Sequence, residues 1–163
     1  MFSARKLTYL CVFALFAAFS LHASAQLADK KVLTLEGAKK VAAAAEAEAR
    51  KNNWNVVIAV VDDGGHLVYL QRLDGTQTGS IDVAIQKART AQAFKRPTKV
   101  FEEAIAGGRT ALIALPGALP RQCGLPILVD CPLVGALGGR GLKFHESGLN
   151  AEAGPALLSR TVC

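Results

Sequence analysis

Several signatures of common enzyme chemistry are missing from this sequence. It has no G-x-S-x-G elbow, no Walker loop, no Cys-x-x-Cys pair and no Cys/His spacing of a zinc site. These absences set aside α/β-hydrolase, P-loop and structural-zinc chemistry. Blocks of like charge are also lacking: Lys30-Lys31, Lys39-Lys40 and Arg50-Lys51 are isolated pairs. Spread this way they suit a solvated helix face, not a stripe that tracks phosphates, so nucleic acid is not an expected partner. The longest apolar run, Leu7 to Leu21, falls short of the roughly 20 residues that span a bilayer, so no stable membrane anchor is expected. Cysteine is sparse, with four in 163 residues.

What is present begins with that apolar run. Arg5 and Lys6 precede it and Ala23-Ser24-Ala25 follow it, the basic, apolar and A-x-A regions of a secretory signal peptide. Five of the nine Phe and Tyr residues fall within its first nineteen positions. Cleavage is expected after Ala25, leaving Gln26–Cys163 as one exported domain. Without Arg5 and Lys6, 17 basic residues face 13 acidic ones, a mild net charge of +4. Cys123, Cys131 and Cys163 then remain, an odd number that leaves at least one thiol outside any internal pair. With an extended segment between them, Cys123 and Cys131 stand about 26 Å apart, far beyond the ~7 Å a disulfide allows. They are not expected to pair with each other, whereas Cys163 can reach either one or another subunit.

Hydrophobic spacing outlines the rest. Thr34 can cap a helix with Leu35, Ala38, Val41, Ala42, Ala45 and Ala49 on one face, ending near Asn52-Asn53. Val56 to Val61 is an unbroken apolar run, the mark of a central strand covered on both faces. Asp62-Asp63-Gly64-Gly65 turns it into a hairpin with Leu67 to Leu70. A second helix runs from Ser80 to a stop at Pro97, and Thr98 can cap a short third one ending at Gly107-Gly108. Ala111 to Leu115 is a short apolar piece counted among about three further strands. The others are Leu125 to Val129 and Leu133 to Leu137, joined at Asp130-Cys131-Pro132. Gly138-Gly139-Arg140-Gly141 reads as a glycine-rich exit more readily than as a phosphate cradle, and Glu146 to Leu158 as a last helix. Hairpins flanked by helices predict an α+β fold: an antiparallel sheet with helices on both faces.

Candidate functional residues are few. His66 at the hairpin exit and His145 before the last helix can each ligate iron or carry a proton. Asp62, Arg72, Lys87 and Thr90 form a second group, in which a helix over the hairpin would let Arg72 and Lys87 meet a carboxylate. The plain structural alternative is an Asp62–Arg72 cross-strand ion pair with Lys87 in water.

These residues carry a resemblance. The stretches Val60-Val61-Asp62-Asp63-Gly64-Gly65-His66-Leu67-Val68, Arg72-Leu73-Asp74-Gly75, Ala84-Ile85-Gln86-Lys87-Ala88-Arg89-Thr90-Ala91, Gly124-Leu125-Pro126-Ile127 and Val134-Gly135-Ala136-Leu137-Gly138 resemble, in order and spacing, the GlcG/HbpS haem-binding family. The match runs from about Leu33 to Leu158 and extends to the C-terminal domain of some corrinoid adenosyltransferases. It implies five antiparallel strands in an α-β-α, PAS/profilin-like layering, and homo-oligomers. It also implies haem binding, with haem degradation or redox sensing in some exported members. Under it, Arg72 and Lys87 would serve the propionates, with Asp62 and Thr90 beside them, and His66 or His145 the iron. The chain departs from the family where Cys123 replaces a glycine, where Asp130-Cys131 replaces an Asp-Gly turn, and where Ala43, Ala44 and Ala45 stand in place of a histidine found in some relatives. Three roles stay open: an exported haem-binding protein, a protein binding or converting a small carboxylate of the 2-hydroxy acid type, and a non-catalytic assembly or sensory module.

Overall fold

A computed structural model describes residues 28–141 of the chain. Helix α1 (Leu35–Lys51) begins where expected, with Thr34 Oγ1 accepting from the Gly37 N–H at 3.1 Å. Strand β1 (Val56–Asp62) and strand β2 (Leu67–Arg72) form the first hairpin, followed by α2 (Ser80–Phe94) and α3 (Lys99–Ala106). A 3-10 turn (Thr110–Ala114) leads to strands β3 (Gly124–Leu128) and β4 (Leu133–Gly141). All of these elements lie in the compact unit that begins at Lys31. Among the described residues no helix is long and apolar enough to cross a membrane. The helix expected over Glu146 to Leu158 falls outside the described residues.

The sheet is antiparallel throughout, in the order β2-β1-β4-β3. β1 is central, and its six valine, isoleucine and alanine positions from Val56 to Val61 are fully buried. Because side chains alternate along a strand, the two sets face different helices. Val56, Ile58 and Val60 pack with Ala38, Val41, Ala42, Ala45 and Ala49 of α1. Val57 and Ala59 meet Ala84 of α2, and Val61 meets Ala88 and Ala91. The α-β-α layering expected from hairpins and helices is therefore present.

Three expectations need correction. The described sheet has four strands, not five. The apolar piece at Ala111 to Leu115 is not a strand; most of it lies in the 3-10 turn, with Ile113 64% exposed. The glycine-rich segment after Leu137 is not an exit, because Gly138 to Gly141 continue β4 alongside Ala59 to Val56. Gly138 is required by the layer above, and Gly141 by the close approach of Asn55. A Cβ at Gly138 would stand 2.0 Å from the Ala84 carbonyl and 2.7 Å from the Ala88 nitrogen. Helix α2 thus rests backbone to backbone on β4. The third correction concerns Thr98, which stands at the start of α3 without capping it. Its buried hydroxyl instead donates to the Arg121 carbonyl at 2.6 Å and accepts from the Gly124 N–H at 2.9 Å. That pins the start of β3 to α3.

Close approach of this kind leaves no room for side chains. Gly138→Val is expected to lower unfolding free energy by about 2–3 kcal/mol or more, as overpacking against backbone does. Gly79→Ala, where nothing lies within 4 Å of the added carbon, should stay within about half a kcal/mol of the parent. Urea denaturation of the two variants beside the parent chain checks the contrast.

Candidate functional site

Helix α2 carries Lys87 and Thr90 one turn apart, and both are buried, Lys87 to 2% exposure. The burial of Lys87 follows from the same glycine contacts: a Cβ at Gly124 would lie 2.4 Å from the Lys87 carbonyl. With α2 this close to β3 and β4, the Lys87 stem has no path to water except along the sheet. Its Nζ donates to the Gly139 carbonyl at 3.2 Å, and the Gly139 N–H donates to the Cys123 carbonyl at 2.8 Å. One β4 residue, Gly139, therefore joins the buried amine to the residue just before β3.

Cys123 has φ 79, in the left-handed region that favours glycine. This explains why a glycine is the ordinary residue there, and it means that the buried thiol is held against a local backbone cost. Burial pushes the Lys87 amine down to about 8; the Cys123 thiol and Glu102 oppose that shift, while Arg140 and Arg121 add to it. Burial likewise pushes the Cys123 thiol up, with Lys87 opposing. Glu102 is engaged elsewhere, 3.6 Å from Arg121 and accepting from the Gln122 N–H at 2.8 Å. Around Lys87 the charges of Arg140, Arg121 and Glu102 are felt, so three cations stand against one carboxylate there, an excess that favours an anionic ligand.

The predicted site residues fall into two groups. Asp62 and His66 sit at the β1–β2 turn, where Asp62 Oδ1 accepts from the Gly64 and His66 N–H groups at 2.8 and 2.9 Å. Burial pushes the Asp62 carboxyl up, but these N–H donors and the His66 ring outweigh it and hold it below its ordinary value. The His66 side chain is 82% exposed, with Nδ1 3.4 Å from Asp62 Oδ1. Arg72 lies at the far end of the hairpin, opposite Val57, about 17 Å along the strand from Asp62 at ~3.3 Å per residue. Neither the anion pocket joining Asp62 to Arg72 nor their cross-strand ion pair is formed. The register does place Arg72, Val57 and Arg140 in one row across three strands. Residues directly opposite share a face, so Arg72 and Arg140 flank Val57 on the α2 side, the side of Lys87. Thr90 serves the scaffold: its hydroxyl donates to the Gln86 carbonyl at 2.8 Å and accepts from the Leu119 N–H at 2.9 Å. His145 lies outside the described residues.

Cys131 is disulfide-bonded and Cys123 is a buried thiol, so the two are not joined to each other, as their spacing predicted. Arg140, Arg121 and Glu102 were not legible as site residues. The one available signal was Cys123 itself, a side chain at a position where a glycine is ordinary. Among the described residues no group of three or more His, Cys, Asp or Glu side chains is placed to hold a bare metal ion.

Residues 33–155 match the family model described as haem degrading protein HbpS-like. The chain belongs to the HbpS-like family. Protein GlcG of Escherichia coli K12 is 42% identical over 109 residues, 67% of this chain and 81% of that protein. The crystal structure of a double mutant of Streptomyces reticuli HbpS superposes with a TM-score of 0.72 at 34% identity, covering 83% of this chain and 92% of that one. A structure titled as a PduOC:Heme complex has a TM-score of 0.68 at 22% identity, over 77% and 94% of the two chains; at that identity the likeness speaks for the fold alone. The HbpS-like assignment agrees with the antiparallel sheet layered between helices.

The buried amine makes a test of its own. An unfolded lysine keeps its proton up to its ordinary value near 10.5, whereas folded Lys87 releases it near 8. Between those values the unfolded state binds more protons, so raising the pH favours the folded state. Below about pH 8 the full penalty applies, on the order of 3 kcal/mol. Urea denaturation from pH 7 to 10.5 should show the parent gaining stability relative to Lys87→Met, with the difference flat below pH 7.

Proposed function

We propose that this chain is an exported, haem-binding member of the HbpS-like family that works as a homo-oligomer. The observation that carries the reading is the family match over residues 33–155, whose description names haem degradation. The PduOC structure named as a heme complex is an instance of this fold holding such a ligand. The residues present fit such a ligand. Haem presents two carboxylates, and the α2 side of the sheet offers Arg140 and Arg72, with the charge of the buried Lys87 amine adding to theirs and Glu102 already committed to Arg121. His66 offers an exposed imidazole, and His145 is the second candidate donor to iron. Bound haem would supply redox and oxygen chemistry. The chain's part is to hold the propionates by charge, to present an imidazole, and to shield the macrocycle with apolar surface. Export rests on Arg5, Lys6, the apolar run and Ala23-Ser24-Ala25. Assembly is supported by Val100 and Ile113, apolar side chains 44% and 64% exposed on neighbouring segments.

A second reading, a small carboxylate of the 2-hydroxy acid type as the ligand, is favoured by the same excess of cations at Lys87, whatever carries the anion.

Haem titration of Gln26–Cys163 followed at the Soret band decides between them. The expected result is a saturable, stoichiometric shift that is lost in either His66→Ala or His145→Ala, with Arg72→Ala and Arg140→Ala each weakening affinity about tenfold. A non-saturating or absent shift overturns the haem reading. Thermal stabilisation by a 2-hydroxy acid but not by haem would then move the weight to the second.

A further inference from the structure

The end of the sheet remote from the β1–β2 turn holds a cleft of about 310 Å³ that the haem reading does not use. It is lined by Arg50, Asn53, Trp54, Asn55, Leu73 and Asp74. The backbone that carries Trp54 and Leu73, and the Arg50 side chain, are tied down. The Trp54 N–H donates to the Ala49 carbonyl at 2.9 Å, closing the end of α1, and the indole packs against the core cluster that contains Leu73. The Leu73 N–H donates to the Val56 carbonyl, the Thr76 N–H to the Leu73 carbonyl, and Thr76 Oγ1 to the Val56 carbonyl at 3.2 Å. The loop bearing Asp74 is therefore pinned to β1. Gly75 (φ +75) leaves space for its neighbour: a Cβ there would come within 2.9 Å of Asn55 Nδ2. Arg50 is oriented as well, with Nε donating to Glu46 Oε1 at 2.7 Å and Nη2 2.6 Å from the same oxygen. Glu46 in turn accepts from Gln71 Nε2 on β2.

The chemistry of this lining selects a ligand class. Arg50 is already neutralised by Glu46, and Asp74 adds a negative charge, so the cleft has no surplus of cations for an anion. A single carboxylate makes no metal site. The two amides each offer donors and an acceptor, Asp74 offers acceptors only, and the guanidinium offers donors only. Such a mixture pairs with groups that donate and accept at once, which is what hydroxyls do. Trp54 and Leu73 supply apolar wall for the C–H faces of a ring. From the lining and its rigidity we infer that this cleft binds a neutral, polyhydroxylated ring, a mono- or disaccharide, independently of the site around Lys87.

Trp54 is the only tryptophan of the chain, so indole emission comes from a residue that lines this cleft. The full chain would be titrated with D-glucose, D-galactose, D-ribose and maltose, with lactate and inorganic phosphate as anionic comparisons. The expected result is a saturable change in indole emission with at least one sugar and none with the anions. Asp74→Ala and Asn55→Ala should each weaken that sugar about tenfold or more, the loss of one hydrogen bond to a charged or amide group. Both positions are exposed, and circular dichroism checks that the variants keep the fold. Three results overturn the inference: no saturable response to any sugar, a response unchanged in both variants, or saturation by the anions alone. Haem titration of Asp74→Ala, expected to match the parent, keeps this outcome separate from the fate of the haem reading.

Discussion

The contact on which the rest of the architecture depends is the one between the backbone of α2 and the glycines of β3 and β4. Ala84, Lys87 and Ala88 lie against Gly138 and Gly124 with no side chain between them. This approach brings Ala84, Ala88 and Ala91 onto β1 and β4. It also traps Lys87 where, among the described residues, no carboxylate is paired with it and the amine donates to a strand carbonyl. A side chain at position 138 would lift α2 by at least its own radius and reopen that amine to water. Burial of the cation and closeness of the layers are thus one constraint seen twice.

The elements that could be read from the sequence were those governed by local rules. An unbroken apolar run gave the central strand, helical spacing of alanines gave α1, and the Asp-Asp-Gly-Gly turn gave the first hairpin. Each of these depends on periodicity or on a turn, both of which are written within a few residues. The end of β4 was not legible, because glycine is ordinarily a break and here it is a close-packed strand residue. Nor was the role of Thr98, whose position signals a cap while its hydroxyl is taken by Arg121 and Gly124, more than twenty residues away. Tertiary demand outbid local preference in both places.

The site shows the same division. Lys87, Thr90 and Arg72 could be singled out as polar residues near a hairpin and a helix, but their grouping depended on register and helix depth. Arg72 falls at the opposite end of the hairpin from Asp62 because β2 runs antiparallel, and one row of the ladder sets it beside Arg140 instead. Arg140 sits inside a glycine run that looked like a loop, Glu102 is one of several charges on the predicted short helix, and Arg121 comes from a loop with no signal of its own. Cys123 is the exception. A non-glycine residue with positive φ carries a cost of order 1 kcal/mol, and here it places a thiol next to the buried amine.

The alanine and glycine character of the α2–sheet boundary also bears on how the molecule can move. Alanine and glycine lose no rotamer freedom on burial, so this boundary carries little side-chain entropy in either direction. At these alanine and glycine contacts there are no flexible groups that could repack to absorb a shift, and a rigid interior transmits displacement instead of damping it. Helix α2 and strand β4 are therefore coupled as one rigid body, through which a push on the helix is felt at the central strand. The segment from Gly107 to Arg121 is the contrast, since it meets α2 through Thr90 and α3 through Thr98 and Glu102, by hydrogen bonds and an ion pair and not by close-packed backbone.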